Sequence, residues 1–169
     1  MTAKSPRVDR RPEHAPAPRR LLLLRHAAAA DAPGQPDHER PLTPAGRAQA
    51  ARLGGVVATH APDLVLCSSA RRARETVAAL GLDGCVAVAD DLYLAPAQLL
   101  LALVRAAPDD ATSVLVVAHN PGIARLAATL GDDPRLGGGF PPATLAVFAP
   151  HASSWAQLGS ARLLDLVRQ

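Results

Sequence analysis

The chain has 169 residues and a formal charge of +3, long enough for one domain with a proper core and short for two. Apolar residues make up 49% and aromatic residues only 2%, so the core is to be built from Ala, Leu and Val, a composition that suits helices packed on a sheet. Lys4, Arg7, Arg10, Arg11, Arg19 and Arg20 face only Asp9 and Glu13 in the first twenty positions, and the rest holds twelve basic and thirteen acidic residues, which excludes a nucleic-acid footprint on the body of the protein.

Taken in chain order, residues 1–19 carry Pro6, Pro12, Pro16 and Pro18 without apolar periodicity and are expected to form a disordered basic tail, with one domain over 20–169. Arg19-Arg20 and the leucine run 21–24 imitate a signal peptide, but Arg25-His26 interrupts the run well short of the roughly 7 to 15 apolar residues required. Charges or Pro also break every apolar run before the about 18 residues of a membrane span. Residues 21–24 read instead as a strand buried on both faces, ending at Arg25-His26. The aperiodic stretch 27–42 is expected to cross the top of the sheet as a loop. Thr43-Pro44 predicts a capped helix start, and the helix runs to about Ala58, its Gly54-Gly55 pair tolerable only if something packs close.

Residues 63–67 form the next predicted strand, and Ser68-Ser69 the predicted cap of a helix with Ala73, Thr76, Val77 and Leu80. A short strand at 86–88, a Leu-rich helix at 96–107 and a strand at 113–117 follow. Asn120-Pro121 opens a helix to about Leu130 by the same cap-then-Pro logic. After a loop at 131–142, the segments 143–148 and 155–167 supply one or two further strands. Strands alternate with helices throughout, so the expected fold is α/β, a three-layer α/β/α sandwich on a mostly parallel central sheet.

In such sheets ligands bind beyond the carboxyl ends of the strands, and this reading puts Arg25-His26, the turn before Arg72, and His119 at that end. Two guanidiniums and two imidazoles around a void suit a phosphate dianion, because the guanidinium fork matches its oxygens. At an effective dielectric of about 20 each close charge pair is worth on the order of 4 kcal/mol before desolvation. A neutral imidazole can attack phosphorus in line when its other nitrogen is fixed as a donor, and nearby Arg side chains disfavour its protonation. His26 is thus the candidate nucleophile, His119 a donor to the equatorial oxygens, and Asn120-Pro121 adds a helix start that favours the same anion.

These residues resemble the histidine phosphatase (phosphoglycerate mutase-like) superfamily, and within it the SixA-type phosphohistidine phosphatases. Leu22-Leu23-Leu24-Arg25-His26-Ala27-Ala28-Ala29 looks like the nucleophile segment, with Ala after His as in the SixA branch. Pro41-Leu42-Thr43-Pro44-Ala45-Gly46-Arg47-Ala48-Gln49-Ala50 is similar to the next block. Cys67-Ser68-Ser69-Ala70-Arg71-Arg72-Ala73-Arg74-Glu75-Thr76 resembles the block of the second phosphate-binding Arg, and register against Ala73 and Thr76 selects Arg72 over Arg71. Val116-Val117-Ala118-His119-Asn120-Pro121-Gly122 resembles the second His block. The resemblance covers residues 21–148 and implies a phosphoryl intermediate on His26, held by Arg25, Arg72 and His119 and then released to water, with no cofactor and no metal.

One departure bears on the substrate. Phosphomonoesterases of the superfamily place a Glu or Asp general acid between the second Arg and the second His, and here that stretch reads Asp90-Asp91-Leu92-Tyr93-Leu94-Ala95. An alkoxide needs a proton to leave whereas imidazole does not, so the substrate is expected to be phosphohistidine on a signalling or phosphotransfer protein. The alternatives are a small-molecule phosphomonoesterase using Asp91 or another carboxylate as acid, a catalytically silent phosphate-binding domain, and a metal site in which Asp31 joins His26 and His119. Asp31 and Glu39 lie in the loop over the pocket, as solvated charges or as residues that position water. His14, His38, His60 and His151 are expected on the surface, and Tyr93 and Trp155 in core packing. Cys67 and Cys85 lack metal-ligand spacing and fit reduced thiols, hence a cytoplasmic protein.

Overall fold

The computed structural model describes residues 18–82 and 85–169; the expectations for residues 1–17, His14 included, lie outside it. Six strands and four helices follow one another among the described residues: β1 (Arg20–Arg25), α1 (Pro44–Ala58), β2 (Leu64–Ser68), α2 (Arg71–Leu80), β3 (Cys85–Ala89), α3 (Ala97–Arg105), β4 (Ser113–Ala118), α4 (Gly122–Leu130), β5 (Thr144–Pro150) and β6 (Ala161–Arg168). The sheet order is β3-β2-β4-β1-β5-β6. Strands β3, β2, β4 and β1 run parallel, and β5 and β6 complete the sheet antiparallel.

The four leucines of β1 show why the sheet is covered on both sides. Side chains alternate along a strand, so Leu21 and Leu23 enter one core with Leu100 and Val104 of α3 and Ile123 and Leu126 of α4. Leu22 and Leu24 enter the other with Leu53 and Val57 of α1 and Ala73, Val77 and Leu80 of α2. This is the expected three-layer sandwich. Thr43 caps α1 as its sequence predicts, its hydroxyl accepting from the Gly46 N–H at 2.9 Å. Gly54 is where α1 meets α2, since a Cβ there would strike the Leu80 carbonyl, whereas Gly55 has open space.

Three expectations need correction. Ser68-Ser69 do not cap α2: its N-cap is Ala70, with no side-chain cap bond, and the Ser68 hydroxyl lies before it, accepting from the Ala70 N–H at 3.3 Å and meeting His119 at the end of the neighbouring strand. Asn120 does not cap α4, whose N-cap is Pro121; its Nδ2 donates instead to the Phe140 carbonyl at 2.9 Å. Arg19 belongs to the domain rather than to a solvated tail, since its guanidinium donates to the carbonyls of Asp109, Ala111 and Ser153 and lies over the Trp155 ring. Trp155 is fully buried and donates to the Ala111 carbonyl at 2.7 Å, the packing role expected of it.

Candidate active site

Strands β1 and β4 pair in parallel with Arg25 opposite Ala118, and the His26 N–H extends the ladder to the Ala118 carbonyl. The next residue of each strand is therefore brought side by side. The His26 and His119 rings lie 5.0 Å apart between centroids, close to the roughly 4.8 Å spacing of neighbouring strands. Arg72 arrives from the first turn of α2, which Thr76 fastens to the segment that follows β1: its hydroxyl accepts from the Ala27 N–H and donates to the Arg72 carbonyl. Glu75 fastens the crossing loop by accepting from the Leu42 N–H.

These contacts enclose a cavity of about 410 Å³ lined by Arg25, His26, Arg72 and His119, with Asp37, Arg40 and Asn120 as its other polar lining. The four residues expected to meet there do so. His26 Nδ1–H donates to the Ala27 carbonyl at 2.8 Å, leaving Nε2 unprotonated to accept from Arg72 Nε–H at 3.2 Å. Burial, with the positive charges of Arg72, Arg25 and Arg40, lowers the His26 pKa to about 4. His119 Nδ1 faces Arg72 Nη2 at 3.4 Å, and its Nε2 meets the Ser68 hydroxyl at 2.7 Å. Burial again, with His26 and Arg72 beside it, lowers its pKa to about 3. Arg25 donates through Nη1 to the Phe140 carbonyl, while its Nε is buried without a partner among the described residues.

Both imidazoles are therefore held neutral in the fold, whereas in the unfolded chain they titrate near 6.5. Stability is full above that value and falls as pH drops through the window toward 4 and then 3, because only the unfolded state takes up protons there. The expected result is a melting temperature that declines between pH 6.5 and 4, with a shallower decline in His26→Ala. A melting temperature flat across that window in the unmodified chain contradicts neutral burial.

The carboxylates behave differently from the sequence expectation. Asp31 and Asp91 are exposed and do not line the cavity, and Glu39 is exposed, accepting from His38 Nδ1–H outside it. The carboxylate in the cavity is Asp37, in a short turn at Asp37–Glu39, and sequence reasoning missed it. The available signal was Arg72 itself: a buried guanidinium requires an acceptor, and the loop over it offers three acids. Arg40 and Ser68 were missed as well. Tyr93 is not core packing: it stands half-buried at the rim, its hydroxyl donating to Asp37 and its ring edge against His119. His38 is likewise half-buried rather than on the surface, its Nε2 accepting from the Ser69 hydroxyl and its ring against Tyr93. No group of three or more His, Cys, Asp or Glu among the described residues could hold a metal ion, and no described helix is long and apolar enough to cross a membrane.

Residues 21–92 match the model of the histidine phosphatase superfamily (branch 1). An uncharacterized protein of Mycobacterium tuberculosis, Rv1276c, is 37% identical over 145 residues, 80% of this chain and 91% of that protein. Among solved structures, one from Nakamurella multipartitia assigned as a phosphohistidine phosphatase SixA has a TM-score of 0.82 at 38% identity, covering 89% of this chain and 95% of its own. Another from Agrobacterium tumefaciens, assigned the same way, has a TM-score of 0.77 at 34% identity, covering 90% and 99%.

Proposed function

This chain belongs to the histidine phosphatase superfamily and is a phosphatase, and we propose that it works through a phosphoryl intermediate on His26 and removes phosphoryl groups from phosphohistidine on a signalling or phosphotransfer protein. The observation that carries the nucleophile is the His26 ring: its Nδ1 proton is committed to the Ala27 carbonyl, so Nε2 on the cavity side keeps its lone pair, which accepts from Arg72 Nε–H at 3.2 Å until phosphorus takes that place. In the first step that lone pair forms a bond to phosphorus while the bond to the substrate's imidazole breaks. In the second, water attacks phosphorus, the bond to Nε2 breaks, and inorganic phosphate leaves.

Arg25 and Arg72 meet the charge on the equatorial oxygens, the role for which preorganised donors are most effective. His119 supplies a further donor from Nδ1, which requires a proton there. The Ser68 hydroxyl can donate to Nε2 as well as accept from it, so the neutral ring can take the Nδ1–H form without becoming an imidazolium.

The substrate class rests on the acid. Asp37 is the single carboxyl group among the described residues that line the cavity, and hydrogen bonds led by that from Tyr93, with those from Arg40 and Arg72, hold it well below the usual carboxylate range. It has no proton to give an alkoxide, whereas the imidazole of phosphohistidine, protonated on its second nitrogen, leaves neutral. The two thiols, Cys67 buried and Cys85 exposed, are unpaired and fit a cytoplasmic location. A phosphohistidine protein is expected to exceed a sugar phosphate in kcat/KM by at least about 10², with an aryl phosphate between them because phenolate leaves unaided. A sugar phosphate turned over as well as phosphohistidine would favour the small-molecule alternative instead.

A further inference from the structure

Arg72 makes two different kinds of contact from two edges of one guanidinium. Its Nε–Nη2 edge faces the imidazoles, Nε at 3.2 Å from His26 Nε2 and Nη2 at 3.4 Å from His119 Nδ1. Its Nη1–Nη2 edge is occupied by Asp37 alone: Nη1 donates to the Asp37 carbonyl at 2.6 Å and Nη2 to Asp37 Oδ2 at 2.9 Å. The Asp37 carboxylate is itself held from two further sides, by Arg40 Nη1 at 3.0 Å on Oδ1 and by the Tyr93 hydroxyl at 2.7 Å on Oδ2. Arg40 is in turn braced on the Ala30 carbonyl.

We infer that Asp37 is the positioning residue that aims Arg72: by holding the outer edge of the guanidinium it keeps the Nε–Nη2 edge at His26 Nε2 and His119 Nδ1, from where it passes to the equatorial oxygens once phosphorus takes the Nε2 lone pair. The inference rests on His26 being the nucleophile. An unrestrained arginine has several rotatable bonds and pays to order them; a fork already clamped at one edge meets the phosphoryl group without that reorganisation. The arrangement carries a cost that makes it recognisable. A carboxylate beside the phosphate site repels the anion it serves, so Asp37 opposes ground-state phosphate binding while favouring the step that needs Arg72 in register. A residue that merely supported the loop would not separate these two effects.

Asp37→Asn in the full chain tests this. The amide removes the charge and one strong acceptor while keeping the shape, and the side chain is 46% exposed, which favours folding. Turnover of a phosphohistidine protein is expected to fall about 100-fold, the scale of a misplaced catalytic group, while inorganic phosphate inhibits as strongly as before or more strongly. Tyr93→Phe, which removes one restraint on the carboxylate, is expected to lower kcat less and in the same pattern, and the double variant to lose no more than Asp37→Asn alone. Tyr93→Phe decides the matter if the Asn variant does not fold. Unchanged kcat, a rise in kcat/KM, or a joint loss of kcat and phosphate affinity overturns the inference. Trapping separates its failure from that of the nucleophile: labelled phosphate on His26 appearing in Asp37→Asn at the wild-type rate sinks only the role of Asp37, whereas no label on His26 in the unmodified chain sinks the nucleophile.

Discussion

Replacing His26 by alanine is expected to abolish turnover, with a loss of at least about 10⁴-fold, because the covalent intermediate proposed on its Nε2 cannot form and the remaining donors only bind the anion. The fold survives the change. His26 is held in place through its backbone, the N–H on the Ala118 carbonyl and the carbonyl accepting from the Ala143 N–H, and alanine preserves both bonds. The variant is also relieved of a ring that burial forces to stay neutral, so its acid stability should improve. Rapid quenching with a labelled phosphohistidine protein gives the decisive readout: acid-labile label on the unmodified chain and none on His26→Ala. Label of equal yield in both proteins moves the nucleophile elsewhere.

Arg72→Lys is the second large effect. Lysine keeps one positive charge but offers a point donor in place of a planar fork. It cannot reach His26, His119 and Asp37 together, as Arg72 does from its 3% exposed position. The expected fall in kcat is about 10²- to 10³-fold, the scale for removing a preorganised donor from a developing oxyanion. Arg71→Lys is the matched control. Arg71 is one residue away on the same helix, yet its guanidinium pairs with Glu75 at the surface, where ion pairs contribute little, and its variant should turn over near the wild-type rate. A wild-type rate in Arg72→Lys, or an equal loss in Arg71→Lys, would show that the wrong arginine has been assigned to the cavity.

Most of the fold could be read along the chain because each element announces itself over a few residues. The leucine run of β1, the Thr43-Pro44 start of α1 and the alternation of apolar runs with helical periods are local signals, and the layers follow from them. The errors fell where a side chain had a local role available and took a distant one instead. Ser68 and Asn120 stand near helix starts, yet neither caps one: the hydroxyl joins the Ala70 N–H to His119, and the amide donates to the Phe140 carbonyl. Tyr93 has the size of a core residue, and its hydroxyl finds a carboxylate 56 positions away.

The primary structure was sufficient to place Arg25, His26 and His119 at strand ends, since apolar runs and helical periods are local signals, while the preference for Arg72 over its neighbour came from the resemblance of residues 67–76 to a family block. It was insufficient for the acid in the cavity. Asp31, Asp37 and Glu39 share one aperiodic loop, and no period tells which of them faces inward. That choice falls to Asp37 because Arg72, Arg40 and Tyr93, brought from three separate parts of the chain, converge on one carboxylate. The physical reason is that a buried guanidinium must be paired, and which acceptor can reach it depends on the path of the loop across the assembled sheet.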